Sequence, residues 1–128
     1  MRNSLIKLRF SKALLALGVI GLFSACVVSS APQVTAKIGR QKVTNGALLF
    51  DVRSPEEFAD GHVAGAKNVP HGEVVERISE FGADKDREIV LYCASGRRAE
   101  LARQVLQAQG YTHVYSAQGY KDWIEETK

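Results

Sequence analysis

The stretch Glu88-Ile89-Val90-Leu91-Tyr92-Cys93, running straight into Ala94-Ser95-Gly96-Arg97-Arg98, restricts the fold of this chain more than any other segment. Its apolar residues are consecutive, with nothing polar between Ile89 and Leu91, and a strand of that composition is covered on both faces. That is the position of a central strand in a parallel sheet. The residues that follow read as a helix from Arg98 to Gln109, with Leu101, Ala102, Val105 and Leu106 on its inward stripe and Gly110 at the C′ position.

The same alternation continues on either side. Ala47 to Val52 reads as a buried strand, and Ser54-Pro55-Glu56-Glu57 supplies a helix N-cap, a first-turn proline and acids suited to the helix dipole. That short helix is expected to end near Gly61. Ala66 to Val69 is a brief strand closed by Pro70, and Glu73 to Phe81 reads as a helix with Val74, Val75, Ile78 and Phe81 on one face. After a polar turn at residues 82–86 and the central strand come a strand at His113-Val114-Tyr115-Ser116 and a last helix from Gly119 to about Thr127. Tyr120, Trp123 and Ile124 are its expected inward residues. The chain is therefore expected to form an α/β fold, a central parallel sheet flanked by helices, and its 128 residues suit one domain.

The N-terminal residues follow different rules. Residues 1–26 carry Arg2, Lys7, Arg9 and Lys12 and no acid, and Ala13 to Phe23 is an apolar run too short to span a bilayer comfortably. This pattern reads as an export signal over residues 1–25, which places the protein outside the cytoplasm, in the periplasm. Without that segment, seventeen basic residues fall to thirteen against fourteen acidic ones, so the folded part is not basic. No stripe of cations interleaved with aromatics suggests nucleic acid binding.

Cys26 follows Leu22-Phe23-Ser24-Ala25, a sequence similar to a bacterial lipobox although Phe23 replaces the usual aliphatic residue. Lipidation of Cys26 would anchor the chain in a membrane, and Val27, which is not an aspartate, favours the outer one. Cleavage after Val34-Thr35-Ala36 is the competing reading, and it leaves a soluble periplasmic protein. Residues 26–37 are expected to serve as a tether and residues 38–128 as the domain. With its two cysteines at Cys26 and Cys93, the chain has little basis for an internal disulfide.

A thiol between a strand end and a helix N-terminus meets converging N–H donors and the positive end of a helix dipole, and Arg97 and Arg98 add full charge. Such a place favours a thiolate and binds anions. Cys93 is accordingly the candidate nucleophile, with Ala94, Ser95, Gly96, Arg97 and Arg98 as the anion-binding loop. Packing alone would give a cysteine no reason to neighbour two guanidiniums.

Three blocks carry a family resemblance: Asp51 to Phe58 with Gly61 to Pro70, the loop Cys93 to Arg98, and Gly110 to Val114 with Gly119 to Trp123. Together they resemble rhodanese-like domains, in particular the small exported single-domain rhodaneses of the phage-shock-protein type. The resemblance implies that Cys93 carries sulfane sulfur as a persulfide, taken from thiosulfate or a similar anionic donor and passed to a thiol or cyanide. No cofactor is implied. A non-enzymatic sulfur carrier, or a binding module on the same fold, is the alternative. The loop reads C-x4-R, ending at Arg98, whereas phosphatases and arsenate reductases of this fold have C-x5-R, whose last position here is Ala99. Ala94 stands where many members have arginine.

Asp51 and Arg53 are expected to form a structural ion pair with neighbours such as Glu57, and His62 to be a structural histidine. For His71 a place at the pocket rim is the lesser reading beside a structural one, and His113 is expected to face solvent or to pack at a strand start. Their spacing with Cys93 does not resemble a metal site.

Overall fold

A computed structural model describes residues 33–125. Four strands, β1 (Leu48–Asp51), β2 (Lys67–Asn68), β3 (Ile89–Cys93) and β4 (Val114–Gly119), form a parallel sheet in the order β2-β1-β3-β4. The helices are α1 (Ala36–Thr44), α2 (Pro55–Ala59), α3 (Arg97–Ala108) and α4 (Tyr120–Glu125). β3 is buried along its whole length, as its unbroken apolar run requires.

Strand alternation divides the core in two. Ile89, Leu91 and Cys93 face one side with Phe50, Phe81 and the α3 residues Ala99, Ala102 and Leu106. Val90 and Tyr92 face the other with Leu49, Ala117, Ala36 of α1 and Trp123 of α4.

Several local expectations need correction. Residues 73–81 form no α-helix but part of two 3₁₀ turns, His71–Glu73 and Ile78–Phe81. Val74 and Phe81 are buried, while Val75 is 56% exposed. Pro70 at the start and the β-branched pair Val74-Val75 disfavour a regular helix, and anchoring Val74 and Phe81 is enough to close this face of the core.

The inward stripe of α3 is also rotated from the expected one. Ala99, Ala102, Arg103 and Leu106 are buried and Leu101 is exposed. Small residues at 99 and 102 allow close approach to the sheet, and the whole Arg103 side chain is buried, with Nε and Nη2 donating to Glu100 one turn back. Ile124 is likewise exposed rather than inward.

The domain begins earlier than residue 38. The Val34 N–H donates to Ser116 O at 3.0 Å, the Thr35 hydroxyl caps α1 by accepting from the Ile38 N–H, and Ala36 is fully buried. Residues 36 and 37 are thus helix, not tether. α1 escapes sequence reading because it docks through small residues: a Cβ on Gly39 would lie 2.8 Å from Trp123 and 2.9 Å from Ala117. The signal segment, Cys26 and the rest of the tether lie outside the described residues.

Candidate active site

β3 ends at Cys93, whose side chain is buried, and the chain then turns through Ala94 and Ser95 to Gly96. Gly96 has φ +93°, a left-handed conformation that glycine adopts without strain, and its carbonyl accepts from the Glu100 N–H in the first turn of α3. This turn brings the Gly96 N–H to 3.0 Å from Cys93 Sγ. The loop therefore wraps back over the sulfur and aims at least one backbone donor at it. Ala94, Ser95 and Arg97 are exposed, and Gly96 and Arg98 are half-buried.

The loop sits on a distortion in β4. Between the partners of Leu91 and Cys93, β4 carries one extra residue, and Gln118 takes φ +60° there, unusual for a side chain other than glycine. Its Oε1 accepts from the Ala36 N–H at 2.7 Å, tying the bulge to the start of α1. The next residue, Gly119, lies directly under the loop. A Cβ there would overlap the Ala94 carbonyl oxygen and lie 2.9 Å from the Ala94 carbonyl carbon.

The two arginines of the loop have different surroundings. Arg98 Nη1 and Nη2 donate to Glu57 Oε2 and Oε1 at 2.8 and 2.9 Å. Glu57 is itself fixed by a capping box with Ser54, in which the Ser54 N–H donates to Oε2 at 2.9 Å and the Glu57 N–H to the Ser54 hydroxyl at 3.2 Å. The Arg98 hydrogen bonds first, and the Ser54 backbone second, hold the Glu57 carboxyl down at about 2. Arg98 is shifted up, chiefly by its hydrogen bonds to Glu57, with smaller Coulombic contributions from Glu57, Cys93 and Asp51. Arg97 has no ion-pair partner among the described residues, which leaves its guanidinium available to an anion.

A second polar network lies at the end of β1, where Asp51 pairs with Tyr92 of β3. Arg53 Nη2 donates to Asp51 Oδ2 at 2.6 Å and to Gly61 O at 2.7 Å, and the Tyr92 hydroxyl donates to Asp51 Oδ2 at 2.8 Å. Arg53 also lies over the Tyr120 ring, 4.4 Å from its centre. Burial and the Asp51 hydrogen bond push the Tyr92 hydroxyl well above its ordinary range, so it stays a neutral donor. Asp51 and Arg53 therefore pair as expected, but Glu57 serves Arg98 instead of Arg53. His62 donates through Nδ1 to Phe58 O and stacks on the Phe58 ring, a structural role. His71 and His113 are exposed.

Neither the Glu57–Arg98 pair nor the Gln118 bulge is visible from local sequence. The capping box did mark Glu57 as a fixed carboxylate, but its partner is 41 residues away.

A cysteine at the tip of the central strand, wrapped by a short loop that leads into a helix, defines the class. The chain belongs to the rhodanese-like domain family, which it matches over residues 30–126, and it is a sulfur-transferring enzyme of the rhodanese type. In particular, it is 46% identical over 73 residues to "Thiosulfate sulfurtransferase PspE" of Escherichia coli (strain K12), covering 57% of this chain and 70% of that protein. It is 35% identical over 103 residues to "Putative sulfur carrier protein YrkF" of Bacillus subtilis (strain 168), covering 78% of this chain and 55% of that one. Among solved structures it resembles "rhodanese with anions from E. coli", at 43% identity and a TM-score of 0.57, over 59% of this chain and 89% of that one.

Proposed function

We propose that Cys93 carries the transferred sulfur, that thiosulfate or a related anion donates it, and that a thiol or cyanide accepts it. The hydrogen bond from the Gly96 N–H to Cys93 Sγ carries this reading, because it puts a donor where charge resides in both the thiolate and the persulfide. The Cys93 thiolate attacks the outer sulfur of thiosulfate, the S–S bond breaks, and sulfite leaves with the electron pair. An acceptor nucleophile then attacks the terminal sulfur of the persulfide, and the pair returns to Cys93 Sγ. Arg97, without an ion-pair partner among the described residues, suits the sulfonate-like oxygens of the donor. Arg98, held by Glu57, supplies positive charge from a fixed position. The relative described as a rhodanese with anions supports the charge preference.

Treatment with thiosulfate alone should add about 32 Da to the protein, and cyanide should remove it. Cys93→Ser should abolish both the mass gain and turnover. Turnover by Cys93→Ser at the parent rate would refute the mechanism. The relative named as a putative sulfur carrier gives the second reading, stoichiometric transfer to a partner. Repeated turnover with small acceptors speaks for the enzyme and a single transfer for the carrier.

We further propose that the chain is exported and lipid-anchored at Cys26, by processing before that residue. Cleavage after Ala36 would remove the Thr35 cap and the buried Ala36, so the folded domain favours the earlier site. A fatty-acid probe should label the wild-type chain in cells and not Cys26→Ser. A mature N-terminus at Lys37 without lipid would overturn this.

A further inference from the structure

Beside the Cys93 loop, a pocket of about 490 Å³ opens between the first turn of α3, the edge strand β4 and the start of α4. Gly96, Arg97, Ser116, Gln118 and Asp122 line it. Gly96 is shared with the site already described, since its N–H points at Cys93 Sγ.

Ser116 is the unusual member. It is only 1% exposed, and its hydroxyl has no hydrogen-bond partner among the described residues. A buried hydroxyl left unpaired is unfavourable and calls for a partner that the described residues do not provide. The other walls indicate what kind. Glu100 is occupied by Arg103 and Gln104, and Gln118 Oε1 by the Ala36 N–H. Available groups are the Arg97 guanidinium, the Gln118 amide N–H donors, the Ser116 hydroxyl and Asp122, whose Oδ2 alone accepts from the Gly119 N–H at 3.0 Å. Arg97 and Asp122 form no ion pair with each other. Among the described residues the pocket thus offers one cation without an ion-pair partner, with neighbouring donors, and one carboxylate with an oxygen that accepts no hydrogen bond, a complement to a carboxylate and an ammonium on the same small molecule.

We infer that this pocket is the acceptor subsite of the sulfurtransferase and takes the α-amino-acid end of a small zwitterionic thiol. The inference rests on the persulfide reading above. Sulfite has left before the acceptor arrives, so Arg97 can hold first the donor's oxygens and then the acceptor's carboxylate. The acceptor's thiolate attacks the terminal sulfur of the Cys93 persulfide, an S–S bond forms to the acceptor, and the Cys93 Sγ–S bond breaks with its electron pair remaining on Cys93.

Three thiols test this on the unaltered protein: cysteine, cysteamine, which lacks the carboxylate, and N-acetylcysteine, which lacks the ammonium. Compared at equal thiolate concentration, cysteine should exceed each of the others in kcat/KM by about tenfold, the size of one charge-assisted hydrogen bond. Asp122→Asn, which keeps an oxygen for the Gly119 N–H, should erase the advantage of cysteine over N-acetylcysteine and keep that over cysteamine. Separately, S-methylcysteine added to Cys93→Ser should shift the amide resonances of Arg97, Ser116 and Asp122. Equal kcat/KM for the three thiols, or no shift with S-methylcysteine, overturns the subsite. Failure of thiosulfate alone to add sulfur to the protein overturns the persulfide reading instead, and the S-methylcysteine result is independent of it.

Discussion

Gly119→Ala should displace the Cys93 loop, and with it the proposed sulfur transfer, while leaving every polar group of the site in the sequence. Gly119 has no left-handed backbone, so the substitution strains nothing locally; its cost is steric, an overlap between the new Cβ and the Ala94 carbonyl. The nearest atoms are backbone, and no side chain can rotate away. Either the loop or the β4 bulge must shift by on the order of 1 Å, and overpacking of this kind costs about 1–3 kcal/mol. At about 4–8 °C per kcal/mol for a domain of this size, the melting temperature should fall by roughly 5–20 °C. A displacement of that size at the reacting atom costs about 100-fold in rate. The assay is the initial rate of persulfide formation on thiosulfate, read by intact mass at a temperature well below the melt. Gly46→Ala is the control: it meets a positive φ of +104° but open space far from the loop, so it should lose stability without losing the rate. A Gly119→Ala protein that forms persulfide at the parent rate would refute the argument that Gly119 seats the loop.

Glu57→Gln removes the carboxylate that fixes Arg98. The folded Glu57 carboxyl is depressed from 4.5 to about 2, so its contribution is full above 4.5 and disappears as the pH falls towards 2. Its side chain is 38% exposed, and solvent screening limits the contribution to about 1 kcal/mol. Wild type and Glu57→Gln should therefore differ by that amount in denaturant melts at pH 7 and converge near pH 2; an equal gap at both pH values would exclude the pair as its source. A chain starting at Lys37 should lose the Thr35 cap, the Ala36 contact and two hydrogen bonds to β4, together about 2–4 kcal/mol. Thermal melts of that chain against one starting at Gln33 check this, and identical melts would restore residues 33–36 to the tether.

What the sequence displays is what lies close together along it. The run Ile89 to Tyr92, Cys93, the glycine at 96 and the helix beyond are contiguous, and each follows from periodicity or from the left-handed turn that only glycine adopts freely. Ser54 and Glu57 are likewise readable, because a capping box has a fixed three-residue spacing. Arg98 could not be separated from Arg97 in this way. Which of two adjacent guanidiniums is held by Glu57 depends on a contact across 41 positions. The rotated stripe of α3 is hidden for a related reason: hydropathy ranks Leu101 above Arg103, but Glu100 accepts from Arg103 Nε and Nη2, and the side chain is buried beside it.

The support of the loop is the least local of all. Gln118 carries no sequence mark of a left-handed residue, and its conformation is held by the Ala36 N–H, 82 residues earlier and in a segment with no apolar stripe to announce a helix. That bulge places Gly119 under Ala94, so the N-terminal helix reaches the cysteine loop through two backbone steps. The chain starting at Lys37 should on this argument lose sulfur-transfer rate as well as stability, because Gln118 is freed from its strained geometry when Ala36 is gone. Adding back residues 33–36 should restore both together, whereas recovery of stability without rate would break the link between α1 and the loop.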